Sequence, residues 1–375
     1  MRVLLSGLLF FAAAVLAQPN APQPPSVIGG AWLLFDATSE QVLAAERADE
    51  RFEPASLTKL MTAYLVFAAL REKKLTSGRV VPVSEKAWRA PGSRMFIEPR
   101  RPVTVDELIR GMVVQSGNDA CIALAEAVAG SEEVFAQLMN REAERIGMKS
   151  TRFANSSGLP DAQHYTTARD LALLAMALVR DFPEQYAQYY SIREYRYNGI
   201  TQMNRNRLLW LDATVDGIKT GYTESAGYCL VASSKRGPRR LVSVLLGSTS
   251  EATRAQESQK LLNWGFLFFD SVKLYEKGQA VRSIEVYKGA AREVKAGVAG
   301  DLYVSVPKGA ADKLKVELVS RQPLSAPIAT GQRLGTLRAE LEGKPIGEFP
   351  LVALEAVPAA GFMGRAWDTL RLWIK

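Results

Sequence analysis

The sequence predicts an α+β domain, an antiparallel sheet covered by helices, followed by a small all-β domain and a terminal amphipathic helix. Three observations carry this reading. Strand-like runs stand at both ends of residues 27–277, with helical runs between them. Near Gly278 the texture changes to short alternating runs separated by Gly and Pro. The final residues repeat apolar side chains at three-to-four spacing. With 375 residues, 47% of them hydrophobic, the chain can bury a sizeable core and form two domains.

Taken in order, residues 1–17 read as a secretory signal peptide. Arg2 precedes an apolar stretch from Val3 to Val15, and Val15-Leu16-Ala17 offers a small-residue cleavage site. The stretch is too short to span a bilayer comfortably, and no Cys lies near the cut to take a lipid. Residues 18–26, rich in Pro, are a flexible lead-in. Val27 to Phe35 and Gln41 to Ala45 read as hairpin partners. Pro54 suits the entry to a helix carrying Ser56 and an apolar run from Leu60 to Leu70. Ser84 to Arg101 is polar, contains Gly and Pro, and reads as loop. Thr104 caps a helix Val105 to Val114, and Ser116-Gly117-Asn118 interrupts it. Helices Asp119 to Ala129, Ser131 to Ile146 (ended by Gly147) and Thr167 to Val179 follow. Tyr228 to Ser233 and Leu241 to Leu246 are strands around a basic turn, and Glu251 to Phe269 is a long helix. These elements make residues 27–277 one domain and 278–357 the β-rich one.

Residues 358–375 form the tail. Phe362, Met363, Ala366, Trp367, Leu370, Trp373 and Ile374 fall on one face, with Arg365, Asp368, Arg371 and Lys375 on the other. Such a helix suits lying in a membrane interface, with Trp at headgroup depth. The alternative is a terminal helix packed on the β domain.

The net charge of +8 fits either a solvated basic surface or attraction to an anionic membrane and wall, and no nucleic-acid motif is present. No Cys/His cluster has metal-ligand spacing, so no metal or other cofactor is expected. Cys121 and Cys229 are expected as buried free thiols, although an oxidising compartment would permit a bridge. The chain has one histidine, His164, in a turn-rich, surface-like stretch. A Ser-His-Asp mechanism would have to use it. An exported Ser enzyme without another His points instead to Lys as base.

Ser56-Leu57-Thr58-Lys59 places a hydroxyl and an amine three residues apart, on one face of a helix. Ser becomes a nucleophile when a neighbouring base takes its proton. Lys can be that base when burial or a second cation suppresses its charge. Two companions raise the weight of this motif. Ser116-Gly117-Asn118 offers a hydroxyl and an amide at a helix break, and Lys219-Thr220-Gly221 offers a second ammonium on an extended segment. A second Ser-x-x-Lys, Ser305 to Lys308, contains Pro307 in a strand context and reads as coincidence.

Ser-x-x-Lys, Ser-x-Asn and Lys-Thr-Gly in that order resemble the penicillin-recognising serine hydrolases. Around them, Pro-Ala-Ser-Leu-Thr-Lys-Leu-Met-Thr, Ser-Gly-Asn-Asp-Ala-Cys, Asn204 to Trp210, Asp216 to Gly221 and Glu257 to Phe266 are similar to the low-molecular-mass D-alanyl-D-alanine carboxypeptidases, the penicillin-binding protein 5 and 6 group. The resemblance runs through the β domain to Gly361-Phe362-Met363-Gly364-Arg365-Ala366-Trp367-Asp368. It implies a transpeptidase-like, β-lactamase-like catalytic domain. It implies Ser56 as nucleophile on the carbonyl between the last two D-alanines of a peptidoglycan stem peptide. Lys59 is then the base, silenced by burial and Lys219. Ser116 passes a proton to the leaving amine, and Asn118 holds the substrate and orients Lys59. The strand with Lys219, Thr220 and Gly221 receives the peptide. Backbone N–H groups of Ser56 and Tyr222 form the oxyanion hole, and Arg254 grips the terminal carboxylate. β-Lactam antibiotics are the implied covalent inhibitors. The implied location is periplasmic, at the outer face of the inner membrane, held by 361–375.

Three other readings stay open. A class A β-lactamase would need a Glu within Thr151 to Leu159, where none occurs. A D,D-endopeptidase would cleave cross-links, and such enzymes usually lack the β domain and tail. A non-catalytic wall-binding protein would be expected to lack a motif residue, and none is missing.

Overall fold

The computed structural model describes residues 22–320, 322–362 and 368. The expected signal peptide (1–17), the lead-in as far as 21, and residues 363–367 and 369–375 of the expected terminal helix lie outside the described residues. Among those described, no helix is long and apolar enough to cross a membrane. The chain forms two units, one comprising residues 24–37 with 42–266, the other 38–41 with 267 onward.

The first unit is built on a five-stranded sheet in the order Gln41–Glu46, Ala31–Asp36, Arg239–Ser248, Gly227–Arg236, Val215–Thr223. The pairings along Ala31–Asp36, Gly227–Arg236 and Val215–Thr223 are antiparallel. Ala31–Asp36 is buried at every position, which is why it reads as an unbroken apolar run. The turn after Arg236 uses Gly237 at φ +59°, where a residue without a side chain carries no steric penalty. Val215–Thr223 lies at the end of the order, so among the described residues one of its edges has no strand beside it.

The helices start and stop where their capping residues dictate. Thr104 and Glu107 form a reciprocal capping box at Val105–Val114. Ser131 caps Glu132–Ile146, which ends at Gly147 in the left-handed region, and Thr167 caps Ala168–Asp181. The long helix Glu251–Phe268 closes the unit. Within the stretch expected to be loop, Glu85–Trp88 forms a single helical turn capped by Ser84. Several elements were not foreseen, among them a short helix and a hairpin. Pro183–Tyr189 is a short helix, and Glu194–Tyr197 pairs with Ile200–Met203 around Asn198-Gly199, a hairpin signal in plain view.

The second unit carries a six-stranded sheet in the order Leu314–Ser320, Arg333–Leu341, Lys344–Ala353, Glu293–Gly297, Ala280–Tyr287, Leu324–Ser325, and a separate pair, Phe269–Tyr275 with Leu302–Pro307. Its small core gathers Ile284, Val294, Leu337 and Leu351. Ser305 lies within the strand Leu302–Pro307 and is buried, so the second Ser-x-x-Lys is not on a helix.

Candidate active site

Ser56 does not sit in the first turn of an α-helix. Ala55–Thr58 is a 3-10 turn, and the α-helix begins at Lys59 and runs to Arg71. In a 3-10 turn side chains three apart nearly eclipse. The Lys59 amine accordingly lies 2.9 Å from Ser56 Oγ. Lys59 is 1% exposed. Its Nζ also donates to Asn118 Oδ1 at 2.8 Å and to the Ser157 carbonyl at 2.6 Å. The Asn118 amide is fixed the right way round, since its Nδ2 donates to the Pro91 carbonyl at 2.7 Å.

Those partners decide what the amine can do. Asn118 Oδ1 and the Ser157 carbonyl only accept. A neutral amine has two N–H bonds and one lone pair. Once both N–H groups are spent on those acceptors, the lone pair is left for the Ser56 hydroxyl proton.

The charge environment favours that neutral form. Burial pushes the Lys59 amine down to about 8, and the Arg205 guanidinium adds to the fall while the Asp119 carboxylate opposes it. The Cys121 thiol, also buried, is pushed up to about 12 and stays uncharged near neutral pH. Lys219 is buried as well, and first burial and then the Lys59 charge hold it well below the usual lysine range. Its Nζ donates to the Thr220 carbonyl at 3.0 Å. The sequence assigned the silencing of Lys59 to burial and Lys219; burial leads, and the cation that adds to it is Arg205, while Lys219 is the one lowered by the Lys59 charge.

A cleft of about 530 Å³ opens over this pair. Of the nine site residues expected, Ser56, Ser116, Asn118, Thr220, Gly221, Tyr222 and Arg254 line it. Lys59 and Lys219 lie beneath, buried. Ser116 takes φ +64° at the break between helices Val105–Val114 and Asn118–Ala129, and its buried hydroxyl has no hydrogen-bond partner among the described residues. Tyr222 is half exposed and lies against Tyr228, ring centroids 4.4 Å apart. Arg254 is buried, donating to the carbonyls of Gly221 and Arg205 at 3.4 and 3.3 Å, with Glu251 3.5 Å away. Arg205 also lines the cleft, which thus presents two guanidinium side chains, Arg205 and Arg254.

Gly221 is small for a reason the sequence did not give. A Cβ there would lie 3.2 Å from the Pro54 carbonyl and 3.3 Å from Ala55 and Leu57. The edge strand therefore packs directly on the turn that carries Ser56.

A family model described as D-alanyl-D-alanine carboxypeptidase matches residues 18–250, and one described as penicillin-binding protein 5, C-terminal domain, matches 269–359. The chain belongs to the D-alanyl-D-alanine carboxypeptidase family. Among members of this carboxypeptidase family, it is 43% identical to D-alanyl-D-alanine carboxypeptidase DacC of Escherichia coli over 96% of this chain and 92% of that one. DacF of Bacillus subtilis is 34% identical, covering 98% and 96%. Among solved structures, penicillin-binding protein 5 of Haemophilus influenzae matches with a TM-score of 0.85 at 38% identity, covering 90% of this chain and 99% of that one. Penicillin-binding protein D2 of Listeria monocytogenes, solved in its ampicillin-bound form, matches with a TM-score of 0.59 at 29% identity, covering 64% and 98%.

In this carboxypeptidase several residues that shape the site escaped the sequence reading. Asp119 is fully buried and accepts from the backbone N–H groups of Met95, Phe96 and Ile97, which fixes the cleft wall leading from Pro91. Ser157 acts through its carbonyl, which no side-chain motif announces. His164 was expected near the surface; it is buried, with Nε2 2.9 Å from Thr58 Oγ1. Cys121 and Cys229 are buried free thiols. Among residues lining the cleft the one carboxylate is Glu251, next to Arg254. Among the described residues no His/Cys/Asp/Glu group is arranged to hold a metal.

Proposed function

We propose that this chain is a serine D-alanyl-D-alanine carboxypeptidase that removes the terminal D-alanine from peptidoglycan stem peptides through an acyl-enzyme on Ser56. The observation that carries the reading is the set of partners of Lys59, two acceptors and the Ser56 hydroxyl.

Lys59 takes the Ser56 proton as Oγ attacks the penultimate D-alanine carbonyl. The resulting oxyanion is met by backbone N–H groups of Ser56 and Tyr222. The C–N bond then breaks, and the proton that Lys59 took passes by way of Ser116 to the departing amine, which leaves Lys59 neutral again. Water attacks the ester with Lys59 again as base, freeing Ser56 and the shortened peptide. The substrate lies along Lys219-Thr220-Gly221 as an added strand, a role supported by the unpaired edge of Val215–Thr223. Arg254, with Arg205 beside it in the cleft, supplies cationic recognition of the free carboxylate. β-Lactams would acylate Ser56 in the same way. The cleft lining offers no carboxylate placed like a deacylating base, since Glu251 faces Arg254, which favours a slow-turnover penicillin target over a β-lactamase.

Export by residues 1–17 and attachment to the outer face of the inner membrane by 361–375 complete the proposal, resting on the sequence pattern of those segments. The test is mass spectrometry of the protein after penicillin exposure, together with D-alanine release from a pentapeptide. An adduct on Ser56 and release from the pentapeptide are expected. An adduct elsewhere, or preference for a cross-linked dimer, would overturn it.

A further inference from the structure

We propose that His164 is a positioning residue for this chemistry: through the Thr58 hydroxyl it ties the loop that carries Ser157 to the turn that carries Ser56. The inference rests on the serine reading above and goes beyond it.

His164 is not among the cleft-lining residues, and its ring bonds to Thr58, two residues beyond Ser56. It is 3% exposed, and Phe153 meets its ring edge-on at 5.8 Å. Its Nε2 lies 2.9 Å from Thr58 Oγ1, while Nδ1 is buried with no partner among the described residues. A neutral imidazole has one N–H. Placed on Nδ1 it would be a buried, orphaned donor; placed on Nε2 it leaves only a lone pair unused, which costs less. The structure therefore assigns the proton to Nε2, donating to Thr58.

Thr58 is the residue between the turn of Ser56 and Lys59. Its backbone is helical, φ −46° and ψ −35°, running from the 3-10 turn into the α-helix, so its side chain makes no cap bond. Its hydroxyl is committed to the loop instead. At its entry the same loop is tied to the same helix. Ser156 offers its carbonyl to Thr62 Oγ1 at 2.6 Å and Ser157 its carbonyl to Lys59 Nζ at 2.6 Å. Asn155 Oδ1 folds this entry tightly by accepting from the N–H of Gly158 at 2.7 Å. His164 is the exit tie. With both ends held, the Ser157 carbonyl keeps its place, and the Lys59 lone pair keeps its aim at Ser56.

The charged groups acting on His164 are Asp161 on its own loop, Glu53 ahead of the nucleophile turn, and Lys59 on the helix. Burial outweighs them and holds the ring neutral, so near neutral pH it serves as a fixed donor.

The experiment uses the full chain and four variants: His164→Ala, His164→Gln, Thr58→Val and the His164→Ala/Thr58→Val double. Each is read by its rate of acylation by a fluorescent penicillin, its KM for a D-Ala-D-Ala peptide and its thermal midpoint. His164→Ala and Thr58→Val are each expected to slow acylation about tenfold, the loss of one buried hydrogen bond. The double should be no slower than the worse single, because both remove the same tie. KM should hold within about twofold, since the tie aims a base and grips no substrate. His164→Gln, whose amide N–H reaches the place of Nε2, should recover most of the rate. If His164→Ala fails to fold, a slowed Thr58→Val with a spared His164→Gln supports the same conclusion. Variants that acylate at the parent rate, or losses that multiply in the double, or a loss carried by KM, overturn it. A parent without an adduct on Ser56 would overturn the serine reading and this inference together, whereas an acylated parent with unchanged variants would overturn this inference alone.

Discussion

Gly158 lies so close to Ala55 that a Cβ added to it would run into the Ala55 carbonyl oxygen. Gly158 has φ +85° and Ala55 φ +46°. Two backbones in left-handed conformations are thus pressed together, one leading into Ser56 and the other leaving Ser157. Gly158→Ala meets both the contact and the strain. It is expected to cost about 3 kcal/mol or more, from overpacking plus an unfavourable φ, and to slow penicillin acylation. Thermal denaturation and labelling with a fluorescent penicillin check this; parent-like values in both would show that the two segments are not braced on each other.

The base form of Lys59 is the uncharged one, and burial sets its titration at about 8. Falling pH protonates it and removes the base, so acylation should rise with pH through about 8 and then level off. Lys59→Arg fixes the charge and should lower the acylation rate by roughly 10³-fold, within the range for losing a general base. Stopped-flow acylation across pH 5–10 provides the curve, and a profile flat across that range would exclude Lys59 as the titrating base.

Arg254 and the substrate carboxylate form a test with two sides. Arg254→Ala should lower kcat/KM for a free-acid peptide by about 30-fold, the scale of one charged hydrogen bond. The same peptide with a C-terminal amide should be a poor substrate for parent and variant alike. An equal loss on both peptides would mean that Arg254 only supports the fold, for which its bonds to the Gly221 and Arg205 carbonyls already give it reason.

His164 should leave a mark on acid stability. Burial lowers its folded value to about 4 from an ordinary 6.5. The unfolded chain then binds the proton first as pH falls. The stabilisation is present in full above the unfolded value and is lost as pH falls through the folded one, on the order of 3 kcal/mol in all. Urea denaturation of the parent between pH 7 and 4 should show that decline, and His164→Gln should lack this share of it. Identical slopes for the two proteins would place the acid sensitivity elsewhere.

Much of the fold was legible because its signals are local. Thr104 with Glu107, Ser131, Thr167 and Gly147 mark helix ends by bonds made within a turn. The strands Ala31–Asp36, Gly227–Arg236 and Arg239–Ser248 show their burial in composition. The hairpin at Asn198-Gly199 was equally legible and was passed over. The site was legible where side chains do the chemistry at fixed short spacing, as in Ser56 and Lys59. It was illegible where backbone does it. Nothing in Ser157 or Gly158 says that one lends a carbonyl to Lys59 and the other must lack a side chain against Ala55.

By itself, then, the sequence determined which groups could react: an amine three residues from a hydroxyl, a hydroxyl and amide at a helix break, and a second amine on a strand. Tertiary structure decided how those groups are poised. It put Lys59 out of water, gave its two N–H bonds to Asn118 and Ser157, and brought Arg205 near enough to weigh on its charge. It also moved His164 from an apparent surface turn into the core. The physical reason is range. Capping, turn geometry and residue spacing act over a few residues, whereas desolvation and the field of distant charges exist only once the chain has closed around them.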